Sequence, residues 1–406
     1  MINIIGLGYI GLPTALMFAA NGAKVVGVDY NRDLIESLHA EKLTFKENGL
    51  NELFISALEN GIEFTTEYTK SDTYIVTVPT PYIKESKKID PSYVISAINN
   101  ILDVCEKGTI ICIESTVSPG TIDKFVRTSI EERGFIIGQD VHLVHTPERI
   151  IPGNMIYELK HNSRTIGCDN REIGEKIKDL YSSFCKADMI ITDIRSAEMS
   201  KVVENTFRDV NIAFANELAK ICRQDNLDIY EIIKIANTHP RVNILQPGPG
   251  VGGHCISVDP WFLVGDYPGL ANIILAARKI NDSMPEFVLK RIRDIMKEHN
   301  MHDVSKVGLY GLTYKEDVDD VRESPTFQLL EKLDEHLAFG VKSYDPFFKK
   351  SIIEGQYEDF DKFLDDVEIV VIMVAHSHIK ECFNKLQGKL VLDTRNICSL
   401  EGTYKL

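Results

Sequence analysis

Residues 2 to 11 read "INIIGLGYIG", a strand entering a glycine turn at the start of the chain. A short run of β-branched residues enters three glycines, Gly6, Gly8 and Gly11, spaced G-x-G-x-x-G. "PTALMFAANG" then continues as a helix closed by Gly22, and "AKVVGVD" follows as a second buried strand ending on Asp29. Such glycines permit a tight turn and a close backbone approach, and the helix N-terminus behind them faces a pyrophosphate. Asp29, at the end of the next strand, suits the ribose hydroxyls of an adenosine and repels a 2′-phosphate, so the cofactor expected is NAD rather than NADP.

Beyond this loop, apolar runs recur at "TYIVTVPTP", "GTIICIEST" and "VHLVHTPE", with helical patterns between them. Strands alternating with helices predict a parallel, doubly wound sheet. From about Ile194 to Asn226 the pattern becomes one long helical segment without Gly or Pro, and more helix follows to about Glu298. Near Val304 the β/α rhythm restarts with "SKVGLYGLTYK", a helix around "SPTFQLLEKLDEH", then "GVKSYDP", "VEIVVIMVA" and "GKLVLDTRN". The fold expected is α/β: two Rossmann-like doubly wound parallel sheets joined by a long central helical region. The divisions are a cofactor domain over 1–193, a helical region over 194–300 and a second Rossmann-like domain over 301–406.

Composition bounds the function. A chain of 406 residues exceeds what one core usually supports. With 44% hydrophobic and 26% charged residues it is globular, and a net charge of −15 argues against nucleic acid or acidic lipid as a partner. The first residues enter a strand directly with no basic leader, and no apolar run reaches the length that spans a bilayer, so the expected location is the cytoplasm without membrane contact. The eight cysteines lie at 105, 112, 168, 185, 222, 255, 382 and 398, with neither C-x-x-C nor zinc spacing, which suggests reduced thiols and no metal.

On the long helix, Lys201, Asn205 and Arg208 fall on one face at spacings of four and three. The plain reading is a solvated charged stripe. Against it, Met199, Val202, Val203, Phe207, Val210, Ile212 and Phe214 wrap most of the remaining circumference, which predicts a largely buried helix whose lysine and asparagine need partners or a role.

The segment "GPGVGGHCISVDPWF", residues 248 to 262, carries the chemistry. Gly248, Gly250, Gly252 and Gly253 before Cys255 let a ligand approach the backbone, and prolines stiffen the loop. A lone loop cysteine is usually structural. Here a hydride acceptor, a buried lysine and the Asp259 carboxylate would be at hand. A thiolate can add to an aldehyde, the thiohemiacetal can lose a second hydride, and water can release an acid from the thioester. That sequence takes an alcohol through four electrons, with Asp259 handling protons or water.

These residues carry a resemblance over essentially the whole chain. "GLGYIGLP", "VPTP", "ESTVSPGT", "TPER", "AEMSKVVENTFRDVNIAFANE", "HPRVN", "GPGVGGHC" with its aspartate, "GLTYKEDVDDVRESP", "YDP" and "LDTRN" occur in order, and the chain resembles the UDP-glucose/GDP-mannose dehydrogenase family. The resemblance implies Cys255 as nucleophile. Lys201 and Asn205 would stabilise an oxyanion and position water, and Asp259 would assist the base. Thr116 and Glu148 would flank the nicotinamide and reacting carbon. It implies a cofactor set of Gly6, Gly8, Tyr9, Ile10, Gly11, Asp29, Arg32, Thr80, Thr116 and Arg322. A substrate set of Glu148, Arg149, Lys201, Asn205, Arg208, Gly252, Lys315 and Arg395 is implied too, with Arg241 supplied across a homodimer interface.

Two departures narrow the branch. Glucose-specific members carry a second glutamate where this chain has Pro152, and a lysine where it has Val258. "PERIIPG" and "HCISVDPWF" resemble the branch acting on N-acetylated sugars, which implies UDP-N-acetyl-D-mannosamine as substrate. UDP-N-acetylglucosamine and UDP-glucose stay open as substrates. More remote are a two-electron β-hydroxyacid dehydrogenase and a non-catalytic NAD-binding scaffold.

Overall fold

The computed structural model describes residues 1–336, 340–348 and 352–406. The chain forms two compact units, Met1–Glu204 and Asn205–Leu406, and the division falls inside one helix, Ile194–Gln224, of 31 residues.

The first unit is built on β1 (Ile2–Ile5), β2 (Val25–Val28), β3 (Glu63–Thr65), β4 (Thr73–Val76), β5 (Thr109–Ile113), β6 (Val141–His145), β7 (Arg164–Cys168) and β8 (Met189–Thr192). They form an eight-stranded sheet in the order β3-β2-β1-β4-β5-β6-β7-β8. The first six are parallel and adopt the dinucleotide-binding order. β7 pairs antiparallel with β6, and β8 runs parallel to β7. The sequence reading anticipated the parallel strands and missed β3, β7 and β8. β3 is three residues long with a single apolar residue, and β8, on the opposite edge, is short and only partly buried. In β1, β2 and β4 every residue is buried, as expected of strands covered on both faces.

The second unit carries β9 (Val307–Tyr310), β10 (Lys342–Tyr344), β11 (Gln356–Tyr357), β12 (Ile369–Ile372), β13 (Leu390–Asp393) and β14 (Tyr404–Lys405). Its six strands are ordered β11-β10-β9-β12-β13-β14, and all pairs are parallel. The strand order of the first six strands of unit one is thus repeated without any repeat in sequence. Gly311 follows β9 at φ +95 as Gly6 follows β1 at φ +93. The expected fold, two Rossmann-like sheets with a long central helix, is the one observed.

The Ile194–Gln224 helix departs from expectation in its burial. Lys201 and Asn205 are 7% and 6% exposed, and Val202 is fully buried. Val203, Phe207, Phe214 and Ile221 are 47%, 66%, 50% and 53% exposed, and Arg208 is also exposed. The helix is therefore buried on one side and apolar on a second, uncovered side. An apolar circumference in sequence does not distinguish burial within a chain from a face left for another surface. No helix among the described residues is long and apolar enough to cross a membrane.

Candidate active site

The glycine loop of the first unit is explained partly by the chain itself. A Cβ on Gly11 would stand 1.8 Å from the Gly6 carbonyl oxygen and 2.3 Å from Thr77 Oγ1, so the helix start packs too tightly for any side chain. Gly6 needs its positive φ. Gly8 is different: a Cβ there would meet nothing within 4 Å. Protein packing gives no reason for a glycine at this position, whereas a pyrophosphate lying on the backbone does. Asp29 anchors the loop to β2, accepting from Leu7 N–H (2.8 Å) and Asn31 N–H (2.9 Å), and it remains only partly buried. Tyr9 packs on Phe45 with the rings tilted and 4.5 Å between centroids, Ile10 is half-buried, and Arg32 is exposed at the start of the next helix. Thr80 donates its hydroxyl to the Thr116 carbonyl at 2.7 Å, which joins two more expected cofactor residues at the carboxyl ends of β4 and β5.

The equivalent aspartate of the second unit is occupied otherwise. Asp345, after β10, accepts from Leu312 N–H (2.6 Å) and Thr313 N–H (3.2 Å) as Asp29 accepts from Leu7. It also meets His376 Nε2 at 3.2 Å, and both side chains are completely buried. Asp317 N–H donates to His376 Nδ1, so the Nε2 nitrogen carries the proton that reaches Asp345. Asp345 is thereby withdrawn from any ribose, and the fingerprint's second and third glycines are absent from "GLTYKE". NAD binding belongs to the first unit.

Glu148, beyond the end of β6, is buried. Its Oε1 accepts from the amides of Arg149 (2.6 Å) and Ile150 (3.2 Å), and its Oε2 from Arg164 Nη2 (2.5 Å). Arg149 directs its guanidinium to Ser163, Thr165 and Glu204. Glu198, one turn before Lys201 on the long helix, accepts from the amides of Gly120 (2.5 Å) and Ile122 (2.9 Å) and so ties that helix to the segment after Thr116. Burial pushes the Glu198 carboxyl up to about 7.

In the second unit Cys255 is the exposed cysteine; the other seven thiols of the chain are buried or half-buried. Its carbonyl accepts from Asp259 N–H at 2.9 Å, the bond that opens the Asp259–Asp266 helix, with Pro260 in that helix's first turn. The two side chains therefore sit one helical turn apart. Asp259 is buried and accepts from Asn205 Nδ2 at 2.6 Å. His254 is held below its ordinary value by burial and then by the charge of Arg322, so its imidazole stays neutral beside the thiol.

The glycines before Cys255 were expected to admit a ligand. The chain itself fills that space. A Cβ on Gly252 would lie 2.5 Å from the Glu323 carbonyl oxygen, and one on Gly253 2.8 Å from the Tyr314 ring. Gly253 N–H donates to the Arg322 carbonyl at 3.0 Å. The loop is fastened against the segment after β9, and this requirement holds with or without ligand. Arg322 itself pairs with Asp320. Lys315, Arg395, Thr313, Thr326, Pro249 and Gly250 line one cavity, which places two of the expected cationic substrate residues beside the loop. Arg208 and Arg241 are exposed on the surface of this unit.

A buried network supports the loop from behind. Asn216 Oδ1 accepts from Gly248 N–H (2.9 Å), and Asn216 Nδ2 donates to Asn281 (2.8 Å). Asn281 donates to Asp209 (2.7 Å), which is paired with buried Arg278 (2.6 Å). The sequence reading missed these residues and also Glu114 and Arg164. Their signal is weak, a polar side chain at the edge of an apolar stretch, and its meaning depends on partners about 50 to 70 positions away.

Comparison with known proteins covers both units. Models of the UDP-glucose/GDP-mannose dehydrogenase family match residues 1–185 (NAD binding domain), 195–283 (central domain) and 308–400 (UDP binding domain). The chain is 41% identical over 413 residues to a UDP-N-acetyl-D-mannosamine dehydrogenase of Methanocaldococcus jannaschii, covering 98% of this chain and 93% of that one. It is 37% identical over 410 residues to an NDP-N-acetyl-D-galactosaminuronic acid dehydrogenase of Ralstonia solanacearum, covering 98% and 96%. Among solved structures, the UDP-N-acetyl-mannosamine dehydrogenase Cap5O of Staphylococcus aureus aligns with TM-score 0.89 and 42% identity over 100% of this chain and 97% of that one. The Pyrococcus horikoshii UDP-D-ManNAc dehydrogenase aligns with TM-score 0.92 and 34% identity over 100% and 98%.

Proposed function

The chain belongs to the UDP-glucose/GDP-mannose dehydrogenase family and is an NAD-dependent nucleotide-sugar dehydrogenase, and from this premise we propose that it oxidises C6 of UDP-N-acetyl-D-mannosamine to the uronic acid. The observation that carries the mechanism is the trio in the second unit: an exposed Cys255, Asp259 one turn on, and Asn205 hydrogen-bonded to it. The substrate is supported by the relatives' names and by Pro152 and Val258 at the branch-marking positions.

NAD, when bound, accepts a hydride from C6 in each of two oxidations. The chain's residues do the rest. The alcohol first becomes an aldehyde with loss of a proton. The Cys255 thiolate adds to the aldehyde carbon, and Lys201 with Asn205 stabilises the oxygen that takes up charge. The thiohemiacetal then becomes a thioester with loss of the second hydride and a proton. Water cleaves the C–S bond with Asp259 assigned to its activation and Glu148 assigned a part in the hydrolysis, giving the carboxylate and regenerating the thiol. One alcohol, two NAD and one water thus yield one carboxylate, two NADH and three protons.

Gly6, Gly8, Tyr9, Ile10, Gly11, Asp29, Arg32, Thr80, Thr116 and Arg322 are assigned to the cofactor. Glu148, Arg149, Arg208, Gly252, Lys315 and Arg395 are assigned to the nucleotide sugar, whose phosphates suit cationic donors. The functional division follows 1–193, 194–300 and 301–406, in parallel with the three family-model ranges. The protein acts as a cytoplasmic homodimer. The uncovered apolar side of the Ile194–Gln224 helix supports that association, and Arg241 is assigned to the partner's site.

The test is incubation with NAD and a panel of UDP-sugars. Two NADH per UDP-N-acetyl-D-mannosamine consumed is expected. One NADH with an aldehyde product overturns the four-electron mechanism. Preference for another UDP-N-acetylhexosamine would instead support a second reading, which the Ralstonia relative favours.

A further inference from the structure

Glu114 follows β5 and Arg164 begins β7, and with Glu148 they form a cluster sealed from solvent. Side-chain exposures are 0%, 4% and 5% for Glu114, Arg164 and Glu148. Arg164 Nη1 donates to Glu114 Oε1 at 3.0 Å while Nη2 donates to Glu148 Oε2 at 2.5 Å. The Tyr181 hydroxyl donates to Glu114 Oε1 at 3.2 Å, and the Tyr181 ring lies under the guanidinium at 4.3 Å. Glu114 Oε2 is buried with no hydrogen-bond partner among the described residues. The thiols of Cys112 and Cys185 also face the cluster.

The charge count is the informative part. One guanidinium facing two ionised carboxylates leaves a buried net negative charge, which a low-dielectric interior removes by protonating one of them. The geometry selects which. Glu148 accepts two backbone amides in addition to Arg164, and amide donors favour an ionised carboxylate. Glu114 accepts from Arg164 and a neutral phenol through a single oxygen, and its second oxygen is bare. Burial accordingly pushes the Glu114 carboxyl up to about 8 despite Arg164.

We propose that Arg164 is the positioning residue for Glu148, and that Glu114 is a neutral carboxylic acid which lets one guanidinium bridge both groups while Glu148 alone carries the charge. Three of the roughly four acceptor positions of the Glu148 carboxylate are then taken by protein, and one is not taken by any described residue. The inference rests on Glu148 taking part in the reaction, as proposed above.

The experiment compares Glu148→Gln, Arg164→Lys, Glu114→Gln and Glu114→Ala in the full-length protein, with NAD and UDP-N-acetyl-D-mannosamine. Lysine keeps the charge but cannot bridge two carboxyls as a planar fork does. Arg164→Lys is expected to lower kcat about 10- to 100-fold with the KM for NAD unmoved, since misplacing a reacting group affects turnover rather than distant binding. Glu114→Gln, with its neutral acceptor, is expected to recover about 10-fold of what Glu114→Ala loses. Independently of substrate and of the fate of Arg164→Lys, infrared spectra at neutral pH should show a protonated-carboxyl band that disappears in Glu114→Gln. A parental kcat in a folded Arg164→Lys protein, or no such band, overturns the inference. A parental Glu148→Gln enzyme would instead remove Glu148 from the reaction, a separate failure from an impaired Glu148→Gln beside an unimpaired Arg164→Lys.

Discussion

Asn205 donates from Nδ2 to Oδ2 of Asp259 at 2.6 Å across 54 residues of sequence, with both side chains buried. The bond restricts an acid that sits one turn after Cys255, so Asn205 reaches the thiol's surroundings through the carboxylate it orients. Asp259→Asn keeps the shape and removes the charge. It is expected to lower kcat about 100-fold or more while the affinity for NAD, measured by fluorescence titration, stays within about twofold. An unimpaired variant would take Asp259 out of the proton chemistry.

Cys255→Ser keeps the size of the side chain and removes the thiolate. Acid formation should fall about a thousandfold or more, because removing a nucleophile acts on the chemical step rather than on binding. Product analysis by mass spectrometry checks whether any NADH still formed accompanies aldehyde instead of acid.

The fingerprint glycines should separate into two kinds. Gly11→Ala forces a Cβ to within 1.8 Å of the Gly6 carbonyl oxygen and is expected to cost about 1–3 kcal/mol of stability or more, read by chemical denaturation. Gly8→Ala meets open space, so its stability should stay within about 1 kcal/mol of the parent. Its affinity for NAD should nonetheless fall about 10-fold or more, since the methyl group lies where backbone must approach the pyrophosphate. Equal NAD binding in Gly8→Ala would refute that placement.

Phe207 and Phe214 lie on the uncovered side of the Ile194–Gln224 helix at 66% and 50% exposure. A charge at the centre of an apolar interface is left without solvent or partner, so Phe207→Glu should dissociate the proposed dimer. Sedimentation velocity checks this. A monomeric parent protein, or a variant that sediments as the parent does, would show that the stripe serves another purpose.

Glu198 fastens the long helix to the Gly120–Ile122 segment, and its carboxyl is raised from 4.5 to about 7 by burial. A raised acid binds its proton more tightly folded than unfolded. Its contribution is complete below pH 4.5 and is lost as pH rises through about 7. Over that window stability should fall with a slope approaching about 1.4 kcal/mol per pH unit from this group. Glu198→Gln should flatten the fall; an unchanged pH profile of denaturant midpoints would remove Glu198 as its source.

Sequence pattern alone accounts for the alternation of strands and helices in both Rossmann-like units, the cofactor loop with its aspartate, and the spacing that sets Cys255 beside Asp259. Each is local: glycine geometry, short apolar runs and helical patterning, and a carboxylate four residues after a thiol act within a few residues of chain. The tertiary structure decided what depends on partners far apart in sequence. It turned the glycines before Cys255 from ligand clearance into a packing requirement against Tyr314 and Glu323, because only folding brings those atoms within van der Waals range. It divided one apolar helix into a buried side and an exposed one. It also gathered Glu114, Glu148 and Arg164 into one buried cluster, and the charge state of a buried acid follows from neighbours that no sequence interval reveals.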